Sequence, residues 1–309
     1  MNRPLAWTPE EFERSDLAGA YLWSLPRFEA RAERRFGLPT VPGLRDVPRE
    51  ARSLIVLGGG TRIDEAKLWR RDERADLRLV AIPSLWGSGA EASPIVALTR
   101  AGKKHIVVDP ELVPDVRVVW PELADDLPLW RARDACGDVW AHAIEGFFSP
   151  LASGELQEEL AGIVRRLASL PLGKDARWFE AGARACAAQA RASVGLVHGI
   201  AHVLEGVLEG VDRERPFGHA RLCATFLWPV LALDRSVSRE LDAGLASHGL
   251  EASLVLEPAR ALFDEGAYAR ALPALEAHWR AILRDPCTRT NGALVRPGHL
   301  AFFLERRFR

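Results

Sequence analysis

The chain has 309 residues, 48% of them hydrophobic, and a formal net charge of -1. That is enough apolar material for a large core, and at roughly 100–200 residues per domain two domains are the natural expectation. Balanced charge without a polybasic run argues against a nucleic-acid surface, and no apolar stretch approaches the roughly 20 residues of a membrane span.

The start, MNRPLAWTPEEFERSD, turns acidic where a signal peptide would carry its apolar segment, so a cytoplasmic protein is expected. Residues 9–36 read as helices: Thr8 is placed to cap, Pro9 suits a first turn, and Glu10 and Glu11 complement the helix dipole. GLPTVPGLRDVP (37–48) reads as a loop. The pattern then changes. SLIVL (53–57) is a short apolar run closed by Gly58-Gly59-Gly60, with a helix over about 62–71, and LRLVAI (77–82) is a second run followed by the loop PSLWGSGAEAS. HIVV (105–108) and VRVVW (116–120) read as two further strands. Short buried strands alternating with a helix and glycine-rich loops predict a mainly parallel sheet.

Beyond about residue 122 no strand is evident, and 125–309 reads as successive helices broken near Pro150, Pro171, Pro216 and Pro286. The expected fold is therefore an α/β domain (1–122) followed by an all-α domain (123–309), with a ligand cleft between the two.

Two segments in the helical half have the spacing of metal ligands. GDVWAHAIEG places Asp138 and His142 four apart, and GLVHGIAHVLEG places His198 and His202 four apart, with His219 following in PFGHA. Residues at i and i+4 share a helix face. Two such helices facing each other can surround one cation with a carboxylate and imidazoles, a shell suited to Fe(II) or Zn(II) rather than Ca or Mg. Taken singly, each pair also fits a surface pair or satisfied core histidines. Glu145, Glu205 and Glu209 continue the two faces and read first as solvated, with one of them supporting a ligand as the alternative. The glycines of GGGTRIDEAK, between a strand and a helix, can turn backbone N–H groups toward an anion, and Ser84, Ser88 and Ser93 of the next loop can donate to phosphate or ribose; ordinary tight turns fit both loops too. Cys136, Cys186, Cys223 and Cys287 contain no CxxC and read as free thiols, Cys136 as core filler.

The order of these pieces resembles the iron-containing (group III) alcohol dehydrogenases, whose dehydroquinate synthase-like fold implies that 1–122 is a dinucleotide-binding-like α/β domain with a shortened parallel sheet and a helical N-terminal extension, and that 123–309 is an all-α metal-binding domain. GGGTRIDEAK is similar to that family's GGGSxxDxAK, PSLWGSGAEAS to PTTAGTGSE, GDVWAHAIEG to GMDALTHAIEA, GLVHGIAHVLEG to GxxHxxAHxLG, and DPCTRTNG to DPCTxxNP. The resemblance implies metal ligation by Asp138, His142, His198 and His219, with His202 as a proton relay that does not bind the metal. It implies a nicotinamide dinucleotide, NAD or NADP, along Gly59, Gly60, Thr61, Asp64, Ser84, Ser88 and Lys104. It further implies a small-molecule or peptide hydroxyl substrate, and a homodimer or a complex with a partner subunit.

The chain departs from the family in two places. Gly218-His219 stands where the family has His-Gly, after a longer, charged spacer. Residues 1–50 show no apolar strand with an acidic tip, so the adenine side of the dinucleotide site is expected to be missing. Three readings follow: a shortened dehydrogenase, including one that oxidises and then decarboxylates a β-hydroxy acid; a metal-dependent lyase or decarboxylase without dinucleotide turnover; and a non-catalytic binding subunit.

Overall fold

The structure is a computed structural model that describes residues 3–100 and 103–308. Residues 1, 2, 101, 102 and 309, which include the first two of the start read above, lie outside the described residues.

The first half builds β1 (Leu5–Trp7), α1 (Pro9–Glu13), β2 (Ala20–Ser24), α2 (Pro26–Phe36), β3 (Ser53–Gly58), α3 (Gly60–Glu73), β4 (Arg78–Pro83), β5 (Ile95–Arg100), β6 (Lys103–Val108) and β7 (Val116–Val118). Five strands form one parallel sheet in the order β1-β7-β4-β3-β2. Both faces are covered, which is why β3 reads as an unbroken apolar run. Ile55 and Leu57 face Phe12, Leu22 and Phe28 on one side, while Leu54 and Val56 face Ile63, Ala66 and Trp23 on the other. Each such side chain contributes about 1.5–3 kcal/mol by its burial.

Two expectations are corrected here. Residues 1–50 are not a helical extension: α1 and α2 form, but AYLWS is the strand β2, paired in register with β3 from Ala20↔Ser53 to Ser24↔Leu57, and β1 pairs with β7. The capping box of Thr8 and Glu11 is present, yet it starts a helix of only five residues. β2 escapes notice because its partner is remote in sequence and parallel pairing leaves no local turn signal. HIVV, in turn, does not join the parallel sheet. It lies in β6, which pairs antiparallel with β5 as a separate hairpin.

The second half is helical among the described residues: α4 (Leu129–Phe148), α5 (Gly154–Ala168), α6 (Arg177–Gln189), α7 (Leu196–Val207), α8 (His219–Val237), α9 (Glu240–Ser247), α10 (Ser253–Leu262), α11 (Glu265–Ile282) and α12 (Leu300–Leu304). The four prolines read as breaks fall between these helices. α4 is the central member, buried continuously from Asp134 to Phe147. It touches α8 closely at Gly137, where a Cβ would collide with Ala224. Among the described residues no helix is long and apolar enough to cross a membrane.

Candidate metal centre and its cavity

Three helices bring the predicted side chains together. α4 supplies Asp138 and His142 on one face, α7 supplies His198 and His202, and α8 begins at His219 with Gly218 as its cap. The Nε2 atoms of His142, His198 and His219 lie 3.5, 3.7 and 3.8 Å from one oxygen, Oδ1 of Asp138. The rings of His142 and His198 are 4.5 Å apart by centroid, and those of His198 and His219 are 5.3 Å apart. Cys223, one turn along α8 from His219, joins the group: ligand atoms of Asp138, His198, His219 and Cys223 all lie within 4.8 Å of one another.

The donor chemistry fits a cation. Asp138 Oδ1 and His198 Nε2 are buried and have no hydrogen-bond partner in the protein. Leaving such groups unpaired in a dry interior costs about 1–3 kcal/mol each, more when charged. Burial, then the neighbouring His198, holds the His142 imidazole down to about 3, and burial holds His198 and His219 well below the usual histidine range. The rings are therefore neutral, the form that ligates metal. Burial raises the Asp138 carboxyl, the ordinary response of a desolvated carboxylate.

Beneath this group lies Glu145, read from the sequence as a solvated face and found buried. Its Oε2 is 2.6 Å from His198 Nδ1, and its oxygens also accept from the backbone N–H groups of Val197 (2.6 Å) and His198 (3.3 Å). Asn291 Oδ1 accepts from Leu196 N at 3.0 Å. The otherwise orphaned N–H groups that open α7 are thus held by two buried side chains. The carboxylate also selects the tautomer with the proton on Nδ1, leaving the Nε2 lone pair facing Asp138. Gly195 makes this approach possible, since a Cβ there would stand 2.6 Å from Asn291 Oδ1 and 2.9 Å from Glu145 Oε1.

His202 points elsewhere. Its Nδ1 is 3.4 Å from Asp285 Oδ2, and its ring stacks on His219 at 5.5 Å. Asp285 belongs to the DPCT segment, whose role was not readable from spacing.

A cavity of about 690 Å³ runs from this centre to the glycine-rich turn after β3. Gly59, Gly60, Thr61, Asp64, Ser88 and Lys104 line it with the imidazoles; Ser84 is buried and does not. The two glycine-rich loops touch, a Cβ on Gly60 colliding with Ser88 Oγ, and Gly87 lies against Asp138. Two of the lining residues have other bonds. Asp64 engages both oxygens inside the protein, one with Lys67 Nζ at 3.0 Å and one with Ala97 N at 2.9 Å, so it fastens α3 to β5. Lys104 pairs with Glu205 at 2.8 Å. Cys136 is buried in the helical core, as expected; Cys223 is the cysteine that enters the site, and its i+4 offset from His219 was the signal available.

A parallel sheet feeding a glycine-rich turn, set against a helical bundle with one carboxylate and three imidazoles converging, defines an α/β-plus-helical protein with a candidate metal site. The description "Iron-containing alcohol dehydrogenase" matches residues 47–121. Across solved structures, the fold agrees with an iron-containing alcohol dehydrogenase from Thermococcus thioreducens (TM-score 0.75, 21% identity, 99% of this chain and 98% of that one). It also agrees with maleylacetate reductase from Rhizobium sp. strain MTP-10005 (TM-score 0.73, 21% identity, 99% and 96%). Among curated proteins, the chain is 32% identical over 169 residues to maleylacetate reductase of Pseudomonas knackmussii (52% of this chain, 47% of that protein). It is 30% identical over 169 residues to a 1-propanol dehydrogenase of Salmonella typhimurium (50% and 45%). The aligned part spans about half the length of these curated relatives. Residues 47–121 thus carry the match to the iron-containing alcohol dehydrogenase family, and the whole chain shares the fold of solved iron-containing alcohol dehydrogenases.

Proposed function

We propose that the protein is an oxidoreductase that interconverts a hydroxyl and a carbonyl, using a nicotinamide dinucleotide and one Fe(II) or Zn(II) ion. The observation that carries this reading is the meeting of three imidazole Nε2 atoms at the unpartnered Oδ1 of Asp138, at one end of a cavity whose other end is the Gly59–Gly60 turn. Asp138, His142, His198 and His219 would hold the cation, which when bound supplies a Lewis acid for the substrate oxygen. His202, with Asp285 behind its Nδ1, stands beside the centre without joining the converging set and is placed to exchange the hydroxyl proton. The N–H groups opening α3 and the close-packed loops at Gly60 and Ser88 suit a pyrophosphate. Trp86, Ile95 and Ile106 give the cavity part of its apolar lining, suited to the flat face of a nicotinamide ring.

Maleylacetate reductases and propanol dehydrogenases among the relatives point to a small organic substrate. A homodimer or a partner subunit is the assembly we favour, because β1 is an edge strand with Leu5 exposed. The test is turnover: protein loaded with Fe(II) or Zn(II) is offered NADH or NADPH with a panel of ketones, aldehydes and keto acids. Metal-dependent cofactor oxidation supports the reading; none with either metal on any substrate, despite verified metal loading, counts against it.

A further inference from the structure

In open parallel sheets a dinucleotide lies across the carboxyl ends of the strands, with its pyrophosphate at the glycine-rich turn. Here that turn follows β3. On one side of β3 stands β4, whose following loop carries Gly87 against Asp138, so the reactive end of the ligand lies there. On the other side stands β2, which leaves its tip for the adenine ribose. A carboxylate at such a tip binds the ribose 2′-hydroxyl, whereas an arginine accommodates a 2′-phosphate.

The β2 tip has no carboxylate: it ends at Ser24, followed by Leu25 and Pro26. What reaches it is Arg62, the third residue of α3. Its guanidinium lies 4.2 Å over the Trp23 ring, and its Nη1 donates to the Ser24 carbonyl at 3.0 Å. Among the described residues no carboxylate comes within ion-pair distance of Arg62; Glu29 and Glu65 are near enough to act on it but stand farther off. Arg62 is half-buried and held flat by Trp23, and the α3 N-terminus adds a positive end beside it. A guanidinium presents five donors, and the planar fork matches phosphate geometry.

We infer that Arg62 is a specificity-determining residue that makes the protein select the 2′-phosphorylated dinucleotide, NADP(H), over NAD(H). This rests on the dinucleotide reading above and replaces the missing adenine side by one built from β2 and Arg62.

The experiment titrates metal-loaded, full-length protein with NADP+, NAD+, adenosine 2′,5′-bisphosphate and 5′-AMP, following tryptophan fluorescence. NADP+ is expected to bind at least tenfold more tightly than NAD+, and the bisphosphate more tightly than 5′-AMP. Arg62→Gln should reduce both preferences to threefold or less by weakening the 2′-phosphorylated ligands, with NAD+ affinity within twofold of wild type. Equal or tighter binding of NAD+ by the wild type overturns the inference and leaves the dinucleotide reading standing, even if the variant fails to fold. An equal loss for all four ligands in a folded Arg62→Gln also overturns it. Binding of none of the four by wild type removes both readings together.

Discussion

His198 Nδ1 and Glu145 Oε2 stand 2.6 Å apart, two buried groups 53 positions apart in the chain, and their contact fixes which imidazole nitrogen faces the candidate metal centre. Glu145 also holds the first N–H groups of α7, so one carboxylate sets both the tautomer and the entry of the helix that carries His198.

Glu145→Gln keeps the shape but replaces an obligate acceptor with a group that can present its amide instead. Metal affinity should fall about 10–100-fold, the usual cost of losing such a supporting partner. Competition with a chromophoric chelator measures it; unchanged affinity would show that the tautomer is set by other groups.

Removing the metal should destabilise the fold, because Asp138, His142, His198 and His219 come from three helices. A cation present at about a hundred times its dissociation constant adds about 2.7 kcal/mol. Tm should fall on treatment with a chelator and return on adding Fe(II) or Zn(II). In His198→Ala, by contrast, the metal-dependent rise in Tm should be absent and metal content by elemental analysis should collapse. Retention of both would remove His198 from the ligand set.

Gly137→Ala tests the close contact of α4 and α8, which carry Asp138 and His219. The added Cβ meets Ala224, including its backbone, so the helices must part. A loss of about 1–3 kcal/mol is expected, with weaker metal binding because the separation of the two ligands changes. Chemical denaturation and the chelator assay read the two effects separately.

Asp234 gives a pH signature outside the metal ligands. Burial raises its carboxyl from an ordinary 3.8 to about 7, and its Oδ1 accepts from Asn291 Nδ2 at 2.9 Å. The folded state therefore holds a proton that the unfolded chain has released between those values. Its contribution is full below pH 3.8 and is lost as pH rises toward and through about 7. Asp234→Asn removes the ionisation, so the variant should gain stability relative to wild type on going from pH 5 to pH 8, by up to about 3 kcal/mol. Urea denaturation at both pH values checks this; a parallel pH dependence in the two proteins would contradict it.

The features that sequence revealed correctly are local in origin. Asp138 with His142, and His198 with His202, could be read because a helix repeats its face every three to four residues. The strand-turn-helix at 53–71 was readable because a buried strand, a glycine turn and a helix start each leave contiguous marks. β2 was missed because AYLWS becomes a strand only beside SLIVL, some thirty positions later in the chain, and β6 was assigned to the wrong sheet because its antiparallel partner β5 was not recognised. Glu145 was misplaced for the same reason: an i+7 position on α4 says which face it shares, not what packs there.

By itself, the order of residues determined the helical pairs of candidate ligands, the glycine-rich turns and the division into a sheet-forming and a helix-forming half, since these depend on periodicity and on backbone freedom at a few positions. Only the tertiary structure decided that three helices aim their imidazoles at a single carboxylate oxygen, that Glu145 rather than water holds His198, and that an arginine rather than an acid sits at the tip of β2. Those choices depend on the distances between segments far apart along the chain, which are fixed when the core packs and not before.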